Sequence, residues 1–178
     1  IIQNLIKKEI LEKVKINNNA HGFTNAKSII TNAKMHLNKE MILNIDLKDF
    51  FPSINAKRVY FIFKNLCNYD SQLSYCLTKL TTYKNSLPQG APTSPIISNI
   101  VAYMLDVRLS KLAEKLKITY TRYADDITFS GDKNVIDEKF LYCVDNIIKE
   151  CGFEINESKT RFAGRGRRQE VTGLIVNN

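Results

Sequence analysis

The sequence predicts an α+β fold, with helices packed against one face of an antiparallel sheet of about four strands. Apolar and polar residues alternate over residues 41–51 and around the turn of 120–129, as they do in half-buried strands. Two shorter strands are predicted at 153–155 and 170–176. Between these segments, apolar residues recur at helical spacing. The resulting order of strand, helices, hairpin, helix, strand and strand is typical of this fold class.

The helices are predicted from apolar spacing and from residues that favour helix ends. Ser94 and Pro95 form a favourable helix start, and Gly152 is suited to the position just after a helix. The predicted helices cover residues 1–14, 24–37, 55–66, 71–82, 95–116 and 135–151.

Composition limits the classes of function. A chain of 178 residues can bury a sizeable core, and its net charge of +8 favours a polyanionic partner such as nucleic acid. The four cysteines form no C-x-x-C pair, which favours reduced thiols and a cytoplasmic location. No apolar run is long enough for a membrane span, so we expect a soluble protein. Because the chain starts without methionine inside a helical pattern, we expect it to be a piece of a longer protein.

Three aspartates form the chemical signal that stands out. Asp46 lies on the more polar face of the first strand, and the hairpin "YTRYADDITF" contains Asp125 next to Asp126. Two like charges about 4 Å apart repel by roughly 4 kcal/mol at an effective dielectric of 20. Divalent cations such as Mg²⁺ commonly neutralise carboxylates gathered in this way. If the two strands pair, the sequence predicts a two-metal site, whereas the Asp-Asp dipeptide alone is more typical of a solvated turn.

Four segments in order resemble the motifs of reverse transcriptases: "NIDLKDFFPSI", "LPQGAPTSP", "YADD" and "GFEINESKT". Two shorter segments resemble the signatures of the retron type of this family. These are "NAKMH", with Asn32, Ala33 and His36, and "VTG", with Val171, Thr172 and Gly173. Group II intron and diversity-generating reverse transcriptases share the core motifs and remain alternatives for the subtype.

The resemblance implies a polymerase palm with partial helical fingers and without a thumb. It places partial fingers at 1–40, the first palm motif at 41–53, fingers helices and the nucleotide loop at 54–93, and the remaining palm at 94–178. It implies RNA template and primer, deoxynucleoside triphosphates and an effector protein as partners, with no membrane. A retron enzyme would copy its own noncoding RNA into RNA-linked DNA for antiphage defence.

The resemblance also assigns the metal ligands and one proton donor. Asp46, Asp125 and Asp126, with the backbone carbonyl of Leu47, would bind two Mg²⁺ ions, for which Mn²⁺ can substitute. Lys159 matches a lysine that acts as general acid toward the leaving pyrophosphate. The alternative for Lys159 is a solvated surface lysine, and Asp126 could instead only order the turn.

Further matches concern the nucleotide and the nucleic acid. Phe51 matches the steric gate against ribonucleotides, while Phe50 is expected in the core. The amides of Asp49 and Phe50 would contact the triphosphate, and Gln89 with Gly90 would contact the sugar and template. A basic loop is expected to bind phosphate backbones, unless it is only a solubilising surface. Its residues are Arg161, Arg165, Arg167 and Arg168.

Two other function classes remain open at this point. A noncatalytic RNA-binding fragment would hold RNA without extending a primer. A nucleotidyl cyclase on a similar palm is disfavoured by the "LPQG" loop and by both retron-like signatures.

Overall fold

The computed structural model describes residues 1–177 and divides the chain into two compact units. The first unit comprises residues 1–16 and 49–103, and the second comprises 17–48 and the chain from residue 104 onward. Among the described residues, all β-strands belong to the second unit. The fingers and palm boundaries implied by the resemblance stay a prediction.

Eight α-helices are formed within the described chain, most of them short. They are α1 (Ile2–Glu9), α2 (Ile29–Lys34), α3 (Phe50–Ser53), α4 (Ala56–Phe61), α5 (Ser71–Thr81), α6 (Ser94–Val101), α7 (Tyr103–Leu116) and α8 (Glu138–Glu150). One π-helical segment and two 3-10 turns complete the helical structure, at Ile62–Leu66, Leu11–Lys13 and Glu157–Lys159.

The centre of the second unit is a four-stranded antiparallel sheet in the order β2-β3-β1-β4. Its strands are β1 (Met41–Asp46), β2 (Thr119–Tyr123), β3 (Asp126–Gly131) and β4 (Arg161–Gly164). A separate two-stranded hairpin pairs β5 (Glu170–Val171) with β6 (Leu174–Ile175). The predicted α+β class and strand number are therefore confirmed.

The interior position of β1 explains its burial. It pairs with β3 on one side and with β4 on the other. Leu43 and Ile45 are buried as predicted, but Ile42 on the opposite face is also fully buried, against Ala33 and Val171. The prediction of a half-buried strand was thus wrong, because both faces of this strand are covered. The strand also ends at Asp46, earlier than the sequence pattern predicted.

Helix α8 packs on the sheet through aromatic side chains. The Phe140 ring contacts Phe129 of β3 edge to face, with 5.0 Å between ring centroids. Asp137 caps the helix by accepting a hydrogen bond from the amide of Phe140 at 2.8 Å. Gly152 follows the helix with a φ of 76°, which confirms its predicted role as a helix stop.

The predicted helix at 24–37 is reduced to α2. Phe23 and Ala26 have positive φ angles of 59° and 61°, a left-handed conformation that does not continue a helix. Ser28 then starts α2 by accepting a hydrogen bond from the amide of Thr31. The apolar spacing alone did not reveal these left-handed residues.

Two other predicted helices are interrupted. The segment 1–14 is helical to Glu9 and then continues as a 3-10 turn. The segment 95–116 forms two helices that are separated at Ala102. Thr93 rather than Ser94 holds the N-cap position of the first of these.

The carboxyl-terminal strands also differ from the prediction. Residues 153–155 form no strand, and Ile155 makes only an isolated bridge with Leu47. The fourth strand of the sheet is instead Arg161–Gly164, in the segment predicted as a basic loop. It pairs with β1, so the backbone of Arg161 is fixed in the sheet.

Candidate functional site

The three predicted carboxylates lie at one end of the sheet. In the β1–β3 register, Asp46 is directly opposite Asp126. Asp125 occupies the two-residue turn between β2 and β3, together with Ala124. The amide of Leu47 donates a hydrogen bond to the carbonyl oxygen of Asp125 at 2.9 Å. Strand pairing therefore brings together the acidic residues that the sequence separates.

The pKa values show that these carboxyl groups interact. Burial, followed by repulsion from Asp46, raises the pKa of Asp125. Loss of hydration, followed by repulsion from Asp125 and Asp46, raises the pKa of Asp126 to about 6. Lys159 opposes both shifts. The cluster therefore carries concentrated negative charge, which a bound cation would stabilise.

Two side chains that follow α8 hold the Asp46 carboxylate. Asn156 donates from Nδ2 to Oδ1 at 3.1 Å, and the Lys159 ammonium lies 3.1 Å from Oδ2. The hydrogen bond from Lys159 to Asp46 raises the pKa of Lys159, so its ammonium group stays protonated at neutral pH. Asn156 was missed by the sequence analysis, although it lies three residues before Lys159 in "GFEINESKT".

The acidic residues have the donor chemistry of a divalent cation site. As the side chains stand, no three His, Cys, Asp or Glu residues within 1–177 form a group that could hold an ion. Both oxygens of Asp46 are directed to Asn156 and Lys159. The donor chemistry nevertheless fits Mg²⁺, because all the candidate side chains supply hard oxygen ligands and their mutual repulsion favours cation binding.

A polar cavity of about 420 Å³ adjoins the acidic residues. Asp46, Asp126 and Lys159 form one part of its wall. The β5–β6 turn forms another part of the wall, and its residues Thr172 and Gly173 have φ angles of 47° and 82°. Positive φ at both residues is required by a type I′ turn. Further lining residues are Asn44, Thr128, Ser158, Arg161 and Glu170.

The two retron-like signatures contact each other. Asn32 of α2 donates from Nδ2 to the Thr172 hydroxyl at 3.5 Å. Ala33 packs in one apolar cluster with Val171. The first signature is thus joined to the second, which forms the β5–β6 turn beside the cavity.

His36 connects the first signature to the main sheet. Its side chain is fully buried, with Nδ1 2.6 Å from the Ser130 hydroxyl and Nε2 2.8 Å from the Thr121 hydroxyl. Burial, followed by the nearby positive charge of Lys39, lowers the pKa of His36 to about 3. His36 is therefore a neutral, hydrogen-bonded residue at neutral pH.

The predicted nucleotide-contacting residues belong to the first unit. Phe50 is buried, as predicted, and its ring contacts Phe51 edge to face at 5.5 Å. Asp49 precedes α3 with a left-handed φ of 47°. Gln89 is exposed, and Gly90 has a φ of 84°, which favours glycine over other residues. Their roles toward a nucleotide stay predictions.

The basic residues occupy β4 and the turn that follows it. Arg161 is in the strand, whereas Arg165 and Arg167 are exposed in the turn. Asn177 donates from Nδ2 to the carbonyl oxygens of both turn arginines, at 3.3 and 2.9 Å. Arg168 forms an ion pair with a carboxylate of β5 at 3.2 Å. The backbone of the turn is thus held by the Asn177 side chain, while all four arginines of this segment remain exposed.

A buried ion pair beneath the hairpin was not anticipated from the sequence. Arg122 of β2 and Asp106 of α7 are both fully buried and bind through two hydrogen bonds of 2.7 Å. The Tyr120 hydroxyl donates a third hydrogen bond of 2.7 Å to Asp106. The available signal was a carboxylate between Leu105 and Leu109 on the apolar face of α7, where a buried charge requires a partner.

Residues 1–176 match the family Reverse transcriptase (RNA-dependent DNA polymerase). The chain belongs to the reverse transcriptase family. It is 40% identical to the Retron Ec86 reverse transcriptase of Escherichia coli, over 99% of this chain and 55% of that protein. It is 36% identical to the Retron Mx162 reverse transcriptase of Myxococcus xanthus, over 98% of this chain and 42% of that protein. The chain thus spans about half the length of these curated relatives.

Solved structures support the fold of this reverse transcriptase domain. Telomerase from Candida albicans, in complex with a TWJ fragment of telomeric RNA, matches with a TM-score of 0.65 and 14% identity. The match covers 99% of this chain and 36% of the telomerase chain. The palm-like fold and the retron-type resemblance are confirmed by these comparisons. Within residues 1–177, no helix is long and apolar enough to cross a bilayer.

Proposed function

We propose that this chain contains the catalytic centre of an RNA-directed DNA polymerase of the retron type. The main support is the pairing of Asp46 with Asp126 across β1 and β3, with Asp125 in the adjoining turn, in a chain of the reverse transcriptase family. Asp46, Asp125, Asp126 and the Leu47 carbonyl would hold two Mg²⁺ ions, which Mn²⁺ can replace. When bound, such ions neutralise charge on the reacting phosphate and activate the attacking hydroxyl.

The residues around Asp46 set its orientation and supply a proton. Asn156 and Lys159 each bind one oxygen of the Asp46 carboxylate, which restricts its rotation. The Lys159 side chain is 62% exposed, so its ammonium is accessible from the cavity it lines. We assign it the role of general acid toward the leaving pyrophosphate, because it is protonated and beside the reacting centre.

Selection of the nucleotide is assigned to residues of the first unit. The Phe51 ring would exclude a 2′-hydroxyl, and the amides of Asp49 and Phe50 would contact the triphosphate. Gln89 and Gly90 would approach the sugar and the template. These assignments rest on the family resemblance and on the local conformations at Asp49 and Gly90.

The RNA partner and the biological role are proposed from the retron-type resemblance, which the named relatives support. Because they are retron reverse transcriptases, we propose that this chain copies a noncoding RNA that also supplies the primer, producing RNA-linked DNA in the cytoplasm. An effector protein and a role in antiphage defence are part of the same proposal. The exposed guanidinium groups of Arg165 and Arg167, with Arg161 and Arg168, would contact the RNA backbone. Residues 1–40 and 54–93 are assigned to the fingers, and 41–53 and 94–178 to the palm.

Primer extension with Mg²⁺ and deoxynucleoside triphosphates tests this function, on the 178-residue chain and on the complete protein that contains it. We expect the complete protein to extend a primer on RNA, and Asp125→Asn to abolish extension. Glu114→Gln is the matched control, since it removes one exposed carboxylate of α7 and should leave extension unchanged. Polymerisation by Asp125→Asn at the wild-type rate would rule out the metal role.

The same assay separates the alternative functions. RNA binding without extension by either protein would indicate a noncatalytic RNA-binding domain. Nucleotide consumption without a template would indicate cyclase chemistry. A preference between retron, group II intron and diversity-generating types is tested by offering the cognate noncoding RNA against an unrelated primer-template.

A further inference from the structure

Three residues outside the two-residue acidic turn contact its backbone, namely Leu47, Arg122 and Gly22. The carbonyl oxygen of Asp125 accepts a hydrogen bond from the amide of Leu47, as described above. The carbonyl oxygen of Ala124 accepts one from Nη1 of Arg122 at 2.9 Å. Gly22 also lies against the backbone of Tyr123 and Ala124 at this turn. Both peptide groups of this two-residue turn are therefore fixed by specific contacts.

Arg122 is itself fixed by a buried network. Nε and Nη2 bind the two oxygens of Asp106 while Nη1 reaches the turn. The planar fork of a guanidinium suits this arrangement, because one rigid group makes contacts in two directions. Asp106 is supplied by α7, so the position of the turn depends on the helix that packs beneath the hairpin.

The segment before α2 completes this support. The amide of His21 donates to the carbonyl oxygen of Arg122 at 2.7 Å, and the amide of Arg122 donates to the carbonyl oxygen of Asn19 at 2.9 Å. These bonds draw Gly22 against the turn. A Cβ atom at Gly22 would lie 2.5 Å from the backbone nitrogen of Ala124, which is too close without movement of one backbone.

We propose that Arg122, Asp106 and Gly22 are positioning residues, which set the placement of the Asp125 and Asp126 carboxylates by fixing the backbone of the turn. The inference rests on the proposed polymerase function and deepens it. A buried ion pair is weak evidence of a stability role by itself, because well-packed apolar residues commonly replace such pairs without loss. The contact from Nη1 to Ala124 gives this pair a directional role that apolar residues cannot supply.

The decisive variant replaces the whole buried network with apolar residues, Asp106→Leu, Arg122→Met and Tyr120→Phe, in the complete protein. Tyr120 is included because its buried hydroxyl would otherwise lose its Asp106 acceptor. We expect thermal stability near that of wild type, together with a loss of about 10- to 100-fold in kcat, because small misplacements of catalytic groups have effects of this size. The KM for deoxynucleoside triphosphate should stay within about twofold of wild type, since no nucleotide contact is changed. A stable triple variant with wild-type kcat would overturn the proposal.

Gly22→Ala provides a second test that leaves the ion pair intact. Its matched control is Gly131→Ala at the other end of β3, where a Cβ would meet the Ile118 side chain at 2.7 Å. We expect Gly22→Ala to lower kcat by at least about tenfold and Gly131→Ala to leave it near wild type. Equal effects of the two substitutions would mean that general strain, and not turn placement, is responsible.

A readout without catalysis separates this proposal from the proposed function. Hydrogen exchange at the Leu47 amide reports its bond to Asp125 and can be measured on the complete protein without substrate. Arg122→Lys keeps the positive charge but loses the planar guanidinium that binds Asp106 and the Ala124 carbonyl together. It should accelerate this exchange by at least about tenfold relative to Gly131→Ala. Unchanged exchange would refute the positioning role. If wild type extends no primer, the polymerase proposal fails while the exchange result still decides the role of Arg122.

Discussion

The buried His36 makes the stability of this chain depend on pH in a predictable direction. Its pKa is about 3 in the folded chain, against 6.5 for an unperturbed histidine. Below about pH 6.5 the unfolded chain binds a proton that the folded chain does not accept, so acidification favours unfolding. The stability from this group is complete above about pH 6.5 and is lost as the pH falls toward 3.

The magnitude follows from the two pKa values. From about pH 7.5 to about pH 5, the histidine contributes a loss of about 2 kcal/mol to the free energy of unfolding. Asp126 acts in the opposite direction, because its raised pKa favours the folded chain as the pH falls toward 4. A comparison of two variants is therefore needed to isolate the histidine.

The assay is urea unfolding of wild type and His36→Gln at both pH values. We expect the stability advantage of wild type over His36→Gln to shrink by about 2 kcal/mol at the lower pH. His21→Gln serves as a companion variant, since the chain contains only two histidines and it leaves His36 as the sole imidazole. An identical acid response in wild type and His36→Gln would refute the reasoning, as would an NMR titration of His36 near pH 6.5.

Three further predictions concern the proposed reaction. Phe51→Ala should increase ribonucleotide incorporation, while Phe61→Ala on the exposed side of α4 should not; equal selectivity in both variants would remove the gate assignment. Lys159→Gln should slow the single-turnover rate by at least about tenfold with unchanged primer-template affinity, and a wild-type rate would exclude the general-acid role. Replacing Arg165 and Arg167 with glutamine should weaken RNA binding and flatten its dependence on salt; if neither quantity changes, the turn does not contact RNA.

The acidic cluster was predictable from the sequence because local signals and strand pairing agree. The alternation around Asp46 and the turn at Asp125 each mark a strand end, and antiparallel pairing then places these ends together. The contacts that support the cluster were not predictable in the same way. The supporting residues lie on three different elements: Asp106 on a helix, Arg122 on a strand and Gly22 in a loop. Their contacts form only when these elements pack together, so no local sequence pattern reveals them.

The errors in the predicted elements have local physical causes. Arg161–Gly164 was missed as a strand because an edge strand rich in charge and glycine has little apolar alternation. The break at Ala102 was missed because the apolar spacing continues through it from α6 to α7. Positive φ at Phe23 and Ala26 was unforeseen because bulky or ordinary residues seldom adopt that conformation.

The central place of β1 in the sheet has a consequence for biosynthesis. This strand is made early, but its two neighbours are β3 and β4, and the latter ends only at Gly164. A growing polypeptide on the ribosome therefore cannot close the sheet until nearly all of this chain has emerged. Translation products that stop before residue 161 would lack β4, one of the two neighbours of β1. Products that stop before residue 156 would also lack Asn156 and Lys159, which hold the Asp46 carboxylate.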